Sequence, residues 1–188
     1  MVNFVIAVEC FGICLIFIAL LLLLNGDGAR EQKLLIIIMC GSLVQNVGYL
    51  LELKAPTLEA AVAAVTVENV GSAFVPMLYC WFIYIYCSIA PPIWLLRVLG
   101  AVNFLILPTV FFNWNGLFYR EVQWKAAANG FYHISITYGP LYVFFMFSRI
   151  IIPYVLCIYT LVRAIRERLD QQVSRQYWTI LGISTFPV

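Results

Sequence analysis

The chain has 188 residues, 64% of them hydrophobic and 11% charged, with a formal net charge of +2 and a mean hydropathy of +0.96. Soluble domains are about half apolar and about a quarter charged, so this balance excludes an ordinary soluble domain and points to an integral membrane protein. An aromatic content of 16% suits a helical bundle whose Trp and Tyr rings, apolar with one polar end, settle at the membrane interface.

Five apolar runs are long enough to cross hydrocarbon, which takes about 20 helical residues. They are Phe4 to Leu24, Lys33 to Leu53, Glu59 to Cys87, Pro92 to Phe112 and Gly139 to Ile165. The first has no basic segment before it and is followed by Asn25-Gly26-Asp27-Gly28 rather than a small-residue cleavage site, so it reads as a retained span and not a signal peptide. A sixth begins near Tyr177. From there to Val188 a helix rising about 1.5 Å per residue covers about 18 Å of a roughly 30 Å core, so that span is expected to be partial. The expected architecture is one membrane domain over 1–188, an all-α helical bundle of five full transmembrane helices and part of a sixth.

Several segments carry local signals. Asn25 to Gln32 has the Asn/Gly chemistry that stops a helix through the left-handed region. Pro91-Pro92 is placed to start span four, since proline at the first helical position loses no hydrogen bond. Pro76 and Pro153 fall inside spans three and five, where each removes a helical hydrogen bond and predicts a kink, either a packing bend or a hinge. Span five runs on into a helical connector, with Arg163 to Glu167 and Arg166 to Asp170 spaced for i,i+4 ion pairs. The six cysteines, Cys10, Cys14, Cys40, Cys80, Cys87 and Cys157, all sit in apolar runs with no C-x-x-C and no pairing with histidine. Cys10 and Cys14 share a helical face at i,i+4 but lack further ligands, so apolar packing is the expected role and no metal or cofactor is implied.

Residues 113–138 form the longest piece outside the spans. Tyr132, Ile134, Ile136 and Tyr138 alternate with His133, Ser135 and Thr137 at the period of a strand. Asn129-Gly130 is a hairpin-turn pair, and Leu117 to Trp124 supplies a partner strand. A small β-hairpin over the outer mouth of the bundle follows, with Tyr132, His133 and Tyr138 as its candidate functional residues. A lone histidine makes no metal site.

Lys and Arg are retained on the cytoplasmic side. With the N-terminus outside, Arg30, Lys33, Arg97, Arg163, Arg166, Arg168 and Arg175 lie inside and only Lys54, Arg120 and Lys125 outside. That orientation is favoured, and it places the hairpin outside. It also accounts for most of the positive charge, leaving nothing that would attract nucleic acid.

The segment Thr57 to Ile89 stands out because Glu68 and Asn69 interrupt its apolar run, and a carboxylate at membrane depth is costly unless paired, buried in a bundle or functional. Counting inward from the outer ends, Glu9 is seven residues from Val2, Asn46 eight from Lys54, Glu68 nine from Glu59, Asn103 ten from Asn113 and Arg149 nine from Pro140. At about 1.5 Å per residue all five lie at a similar depth, roughly 10 to 15 Å. Gly41, Gln45, Gly48 and Glu52 form one small or polar stripe on span two, and Glu68, Ser72, Pro76 and Tyr79 another on span three, as expected of faces turned to the bundle interior. The candidate network is therefore Glu9, Gln45, Asn46, Glu68, Asn69, Asn103 and Arg149, with Glu68 the expected partner of Arg149. With both glutamates ionised the layer carries one surplus negative charge, which asks for a protonated glutamate or a bound cationic group. Two readings stay open: a clamp that fixes helix register, and the floor of a ligand pocket capped by the hairpin.

Gly48-Tyr49-Leu50-Leu51-Glu52-Leu53, then Glu68-Asn69-Val70-Gly71 followed by Pro76, then Tyr138-Gly139-Pro140 before span five resemble, in order and spacing, the N-terminal seven-transmembrane sensor region of bacterial histidine kinases, also found on some diguanylate cyclases. The resemblance runs from about Phe4 to the end of the chain. Where that family often has a histidine after the asparagine that ends span four, this sequence reads Asn113-Trp114-Asn115. The resemblance implies a non-enzymatic input domain in the bacterial cytoplasmic (inner) membrane, receiving a signal for a cytoplasmic output domain absent from this chain. The implied partners are the lipid bilayer and a small-molecule or lipid signal, with a homodimer left open. A transporter or channel is the alternative from another class, although no internal repeat surrounds Pro76 and Pro153. A membrane enzyme lacks any nucleophile-and-base or phosphate-loop motif.

Overall fold

Backbone groups in lipid have no water to bond, so long apolar runs can cross only as helices or closed barrels. The computed structural model, which describes residues 2–26, 28–126 and 132–167, has five helical runs long and apolar enough to cross a membrane. They are α1 (Val2–Leu24), α2 (Arg30–Leu53), a third crossing built from α3 (Leu58–Ser72) and α4 (Val75–Tyr86), α5 (Ile93–Phe112), and a fifth crossing in which a π-helical turn (Phe147–Ile151) joins α6 (Pro140–Met146) to α7 (Ile152–Glu167). Large side chains such as Phe4, Leu22, Leu105 and Phe112 are 67 to 73% exposed. In water such a surface would drive aggregation, whereas against lipid tails it costs nothing.

The tightest helix contact is the antiparallel crossing of α2 with α3. A methyl group built on Gly48 would fall 2.5 Å from the Glu68 amide nitrogen, and one on Gly71 would fall 2.5 Å from the Gln45 nitrogen and 2.8 Å from the Gly41 carbonyl oxygen. Only glycine permits backbones this close. The stripe on span two thus meets span three at Glu68, and also at Gly71 and Val75, which the expected stripe on span three did not include.

Both expected proline irregularities are present, in different forms. Pro76 has no N–H for the Ser72 carbonyl. The third crossing breaks at Ala73 and Phe74 and resumes with Pro76 in the first turn of α4. The Ala73 carbonyl in the break takes a 3.1 Å hydrogen bond from Asn103 Nδ2 on α5. Pro153 similarly offers nothing to the Arg149 carbonyl, and the helix widens into the π-turn just before it. Pro108 also lies within α5, which continues through it unbroken. Pro92 caps α5 and does not enter it, and the left-handed residue after α1 is Gly28, with φ 72°, beyond the helix end itself.

Two buried clusters fill the bundle. One joins Cys80, Ile83, Tyr84, Cys87, Leu96, Cys157, Leu161 and Ala164. The other, beside the hairpin, joins Val65, Ala73, Ile106, Val110, Phe118, Tyr119 and Phe145. The expected packing role therefore fits Cys80, Cys87 and Cys157, whereas Cys10, Cys14 and Cys40 are exposed because the helix faces they occupy turn away from the bundle.

The hairpin pairs β1 (Tyr119–Ala126) with β2 (Tyr132–Tyr138), antiparallel, Trp124 opposite Ile134 and Lys125 opposite His133. The first strand starts two residues later than its pattern suggests. Asn113, left-handed at φ 39°, opens a 3-10 turn over Trp114–Gly116, and its side chain accepts from the Tyr119 N–H at 2.8 Å and donates to the Tyr119 carbonyl at 2.7 Å. Gly139 closes the hairpin against this turn. Its N–H reaches the Phe118 carbonyl at 2.8 Å, and a side chain there would strike the Gly116 and Leu117 backbone. The Asn129-Gly130 turn, the side chains of Tyr132 and His133, the Arg166 to Asp170 pair and the sixth span lie outside the described residues. Arg163 and Glu167 do pair, at 2.7 Å.

The glycine crossing yields a test. Gly48→Ala should destabilise the bundle by about 1 to 3 kcal/mol, the usual cost of overpacking, while Gly12→Ala, with no atom within 4 Å of the added methyl, should leave it unchanged. Thermal unfolding of the purified protein in detergent distinguishes them.

Candidate functional site

Beneath the hairpin, α2, α3, β2 and the fifth crossing line a cavity of about 260 Å³. Helical and strand periods explain the lining. On α2, Glu52 follows Gly48 by one turn, on the face pressed against α3. From α3 come Val65, Glu68 and Asn69, at i, i+3 and i+4; from β2, Ile134, Ile136 and Tyr138, every second residue; from the fifth crossing, Tyr142, Met146, Arg149 and Ile150.

Asn69 is the hub of the polar wall. Its Nδ2 donates to the Val65 carbonyl at 2.9 Å and to the Tyr119 hydroxyl at 3.0 Å, and its Oδ1 accepts from Arg149 Nη1 at 3.3 Å. The Arg149 guanidinium also lies 5.3 Å from the centre of the Phe145 ring, a cation–π arrangement. Its Nε is buried with no partner among the described residues. Next to it on the π-turn, Ser148 Oγ donates to Asn103 Oδ1 at 2.7 Å, and Asn103 in turn holds the Ala73 carbonyl in the break of the third crossing. On the hairpin side Tyr138 stacks on Tyr142 with ring centres 3.6 Å apart. Burial pushes the Tyr119 and Tyr138 phenols well above the ordinary value of 10.0. For Tyr119 the hydrogen bond from Asn69 acts in the opposite direction and is outweighed.

The structure brings some sequence candidates together and leaves others apart. Glu68, Asn69, Arg149 and Tyr138 line the cavity. Asn103 sits outside the lining, fully buried, one hydrogen bond from the residue beside Arg149. Asn46 donates to the Ser42 carbonyl of its own helix at 2.9 Å, and Gln45 packs its backbone on Gly71. Glu9 is half-buried on α1, close enough to Tyr49 and Glu68 to act on them electrostatically, yet no part of the lining. The direct Glu68–Arg149 pair is not formed: among the described residues Arg149 bonds to Asn69, and no ion pair joins it to Glu68 within 4.0 Å. Both side chains line the same cavity, but the one-residue offset, about 100° around the helix, that carries Asn69 toward Arg149 leaves Glu68 against α2. Two polar lining residues, Glu52 and Tyr142, were missing from the candidate set. Glu52 lay in the small and polar stripe of span two; the depth count passed over it because it is near the helix end.

Two outcomes follow. Asn69→Leu should cost about 1 to 3 kcal/mol in thermal stability, since it strips a buried partner from Arg149 and Tyr119. Stability should also fall as pH rises past 10, where tyrosines of the unfolded chain ionise while the folded Tyr119 and Tyr138 do not; Tyr119→Phe should flatten part of that fall in pH-dependent unfolding curves.

The family model for the N-terminal 7TM region of histidine kinase matches residues 7–188. No curated protein and no solved structure matches the chain. With its multi-pass helical fold and a match that covers nearly its whole length, the chain belongs to the N-terminal seven-transmembrane region family of histidine kinases, a membrane sensory input region.

Proposed function

We propose that this chain receives a small-molecule or lipid signal in the cavity beneath the hairpin and passes the change through its helices to a cytoplasmic output domain. The observation that carries the reading is the cavity itself: Glu52 and Glu68 on one wall and Arg149 on another, supplied by three separate crossings and not paired with one another. A structural clamp would close such charges into ion pairs, since buried charge left unmatched is costly. Held apart around open space, they suit a ligand that completes them. The arrangement also places Arg149 on the π-turn, a rare helical irregularity that is frequent at functional sites. The chain itself carries out no reaction in this reading. It lies in the bacterial inner membrane with its N-terminus and hairpin outside, an orientation supported by the bias of Arg and Lys toward the opposite loops.

In a protein carrying this region together with its kinase, Glu68→Gln and Arg149→Gln should each change signal-dependent autophosphorylation at least fivefold, while Gly12→Ala leaves it unaltered. Full response in both cavity variants would remove the cavity from the mechanism. For orientation, alkaline phosphatase joined after Gly116 should be active and joined after Gly28 inactive; the reverse pattern would invert the topology.

A further inference from the structure

The charges around the cavity also indicate what class of molecule fits it. Glu52 and Glu68 line it, and among the described residues no basic side chain lies within 4.0 Å of either carboxylate. Among the described residues the direct contacts of Arg149 are with neutral groups, the Asn69 carbonyl oxygen and the Phe145 ring face, and Glu68, which acts on it electrostatically, stays beyond ion-pair distance. The lining also offers apolar side chains, from Val65, Ile134, Ile136, Met146 and Ile150.

A ligand with one charge answers only half of this. An amine would satisfy the carboxylates and face Arg149 with a like charge, and an acid would satisfy Arg149 and face two carboxylates. We propose that the cavity takes a small zwitterion, its ammonium group at Glu52 and Glu68, its anionic group at Arg149, and its hydrocarbon against the isoleucines of β2. This rests on reading the cavity as the signal site. A volume of about 260 Å³ admits a free amino acid or the headgroup of an ethanolamine phospholipid, and not a whole lipid. Both sources present the same pair of charges.

The test uses the purified chain in detergent, with binding followed by calorimetry and by the shift in thermal midpoint. The probes are the standard amino acids and norleucine, its one-pole analogues pentylamine and hexanoate, and the short-chain lipids dihexanoyl-phosphatidylethanolamine and dihexanoyl-phosphatidylglycerol. At least one zwitterion should bind ten or more times tighter than its one-pole counterparts, an amino acid pointing to a soluble signal and phosphatidylethanolamine to a headgroup. Glu68→Gln and Glu52→Gln should each weaken that binding tenfold or more without weakening hexanoate, and Arg149→Lys, which keeps the charge, should retain the preference. Binding of pentylamine, hexanoate or phosphatidylglycerol as tightly as the zwitterions overturns the proposal, as does the absence of zwitterion binding to protein that unfolds cooperatively. The two readings fail separately: if no zwitterion binds yet Glu68→Gln and Arg149→Gln alter autophosphorylation, the ligand class is wrong and the site stands. If a zwitterion binds with the expected preference yet autophosphorylation ignores both variants, the ligand class stands and the sensory role is wrong.

Discussion

The contact on which the rest of the molecule depends is the glycine-mediated crossing of α2 and α3. Gly41, Gly48 and Gly71 bring backbone against backbone, and in lipid, where no hydrophobic drive pushes helices together, such close packing is a main source of association. The crossing sets more than distance. Because Gly48 abuts the Glu68 backbone, the turn that follows Gly48 carries Glu52 to the same wall, and Asn69 is rotated toward the fifth crossing. The two carboxylates and the amide are thus delivered to the cavity by a contact in which glycines of one helix admit the backbone of the other.

A second constraint is the cost of buried polar groups. Asn69 and Asn103, both buried, spend their hydrogen bonds between elements: Asn69 joins α3 to β1 and to Arg149, while Asn103 joins α5 to the Ala73 break and to Ser148. The break and the π-turn are the two interruptions within the crossings among the described residues, and Asn103 bonds to both. The π-turn therefore presents Arg149 to the cavity and Ser148 to Asn103, which holds the break of the third crossing. The hairpin completes the enclosure because Asn113 and Gly139 fix its base: Asn113 supplies a left-handed turn and a side chain that serves the Tyr119 backbone at both N–H and C=O, and Gly139 lets the second strand pass against the first loop. Ile134, Ile136 and Tyr138 then point inward together.

Much of this was written in local pattern. The five full spans, the hairpin, the prolines as points of irregularity and the inward stripe of α2 all follow from hydropathy, period and backbone chemistry, which depend on near neighbours in the chain. Depth counting was weaker. It grouped Glu9, Asn46 and Asn103 with Glu68 and Arg149 because a rise of about 1.5 Å per residue gives height along a helix and nothing about direction around it.

By itself, then, the sequence determined that the chain crosses the membrane in helices, that glycine and polar residues mark the inward faces, and that an acidic and a basic residue share the interior. Only the tertiary structure decided which polar groups meet. Arg149 bonds to Asn69 and not Glu68, and Glu52 joins the cavity while Glu9 does not. The physical reason is rotational: one residue along a helix turns a side chain by about 100°, and whether that turn ends at a partner or at open space is set by how closely the neighbouring helix approaches.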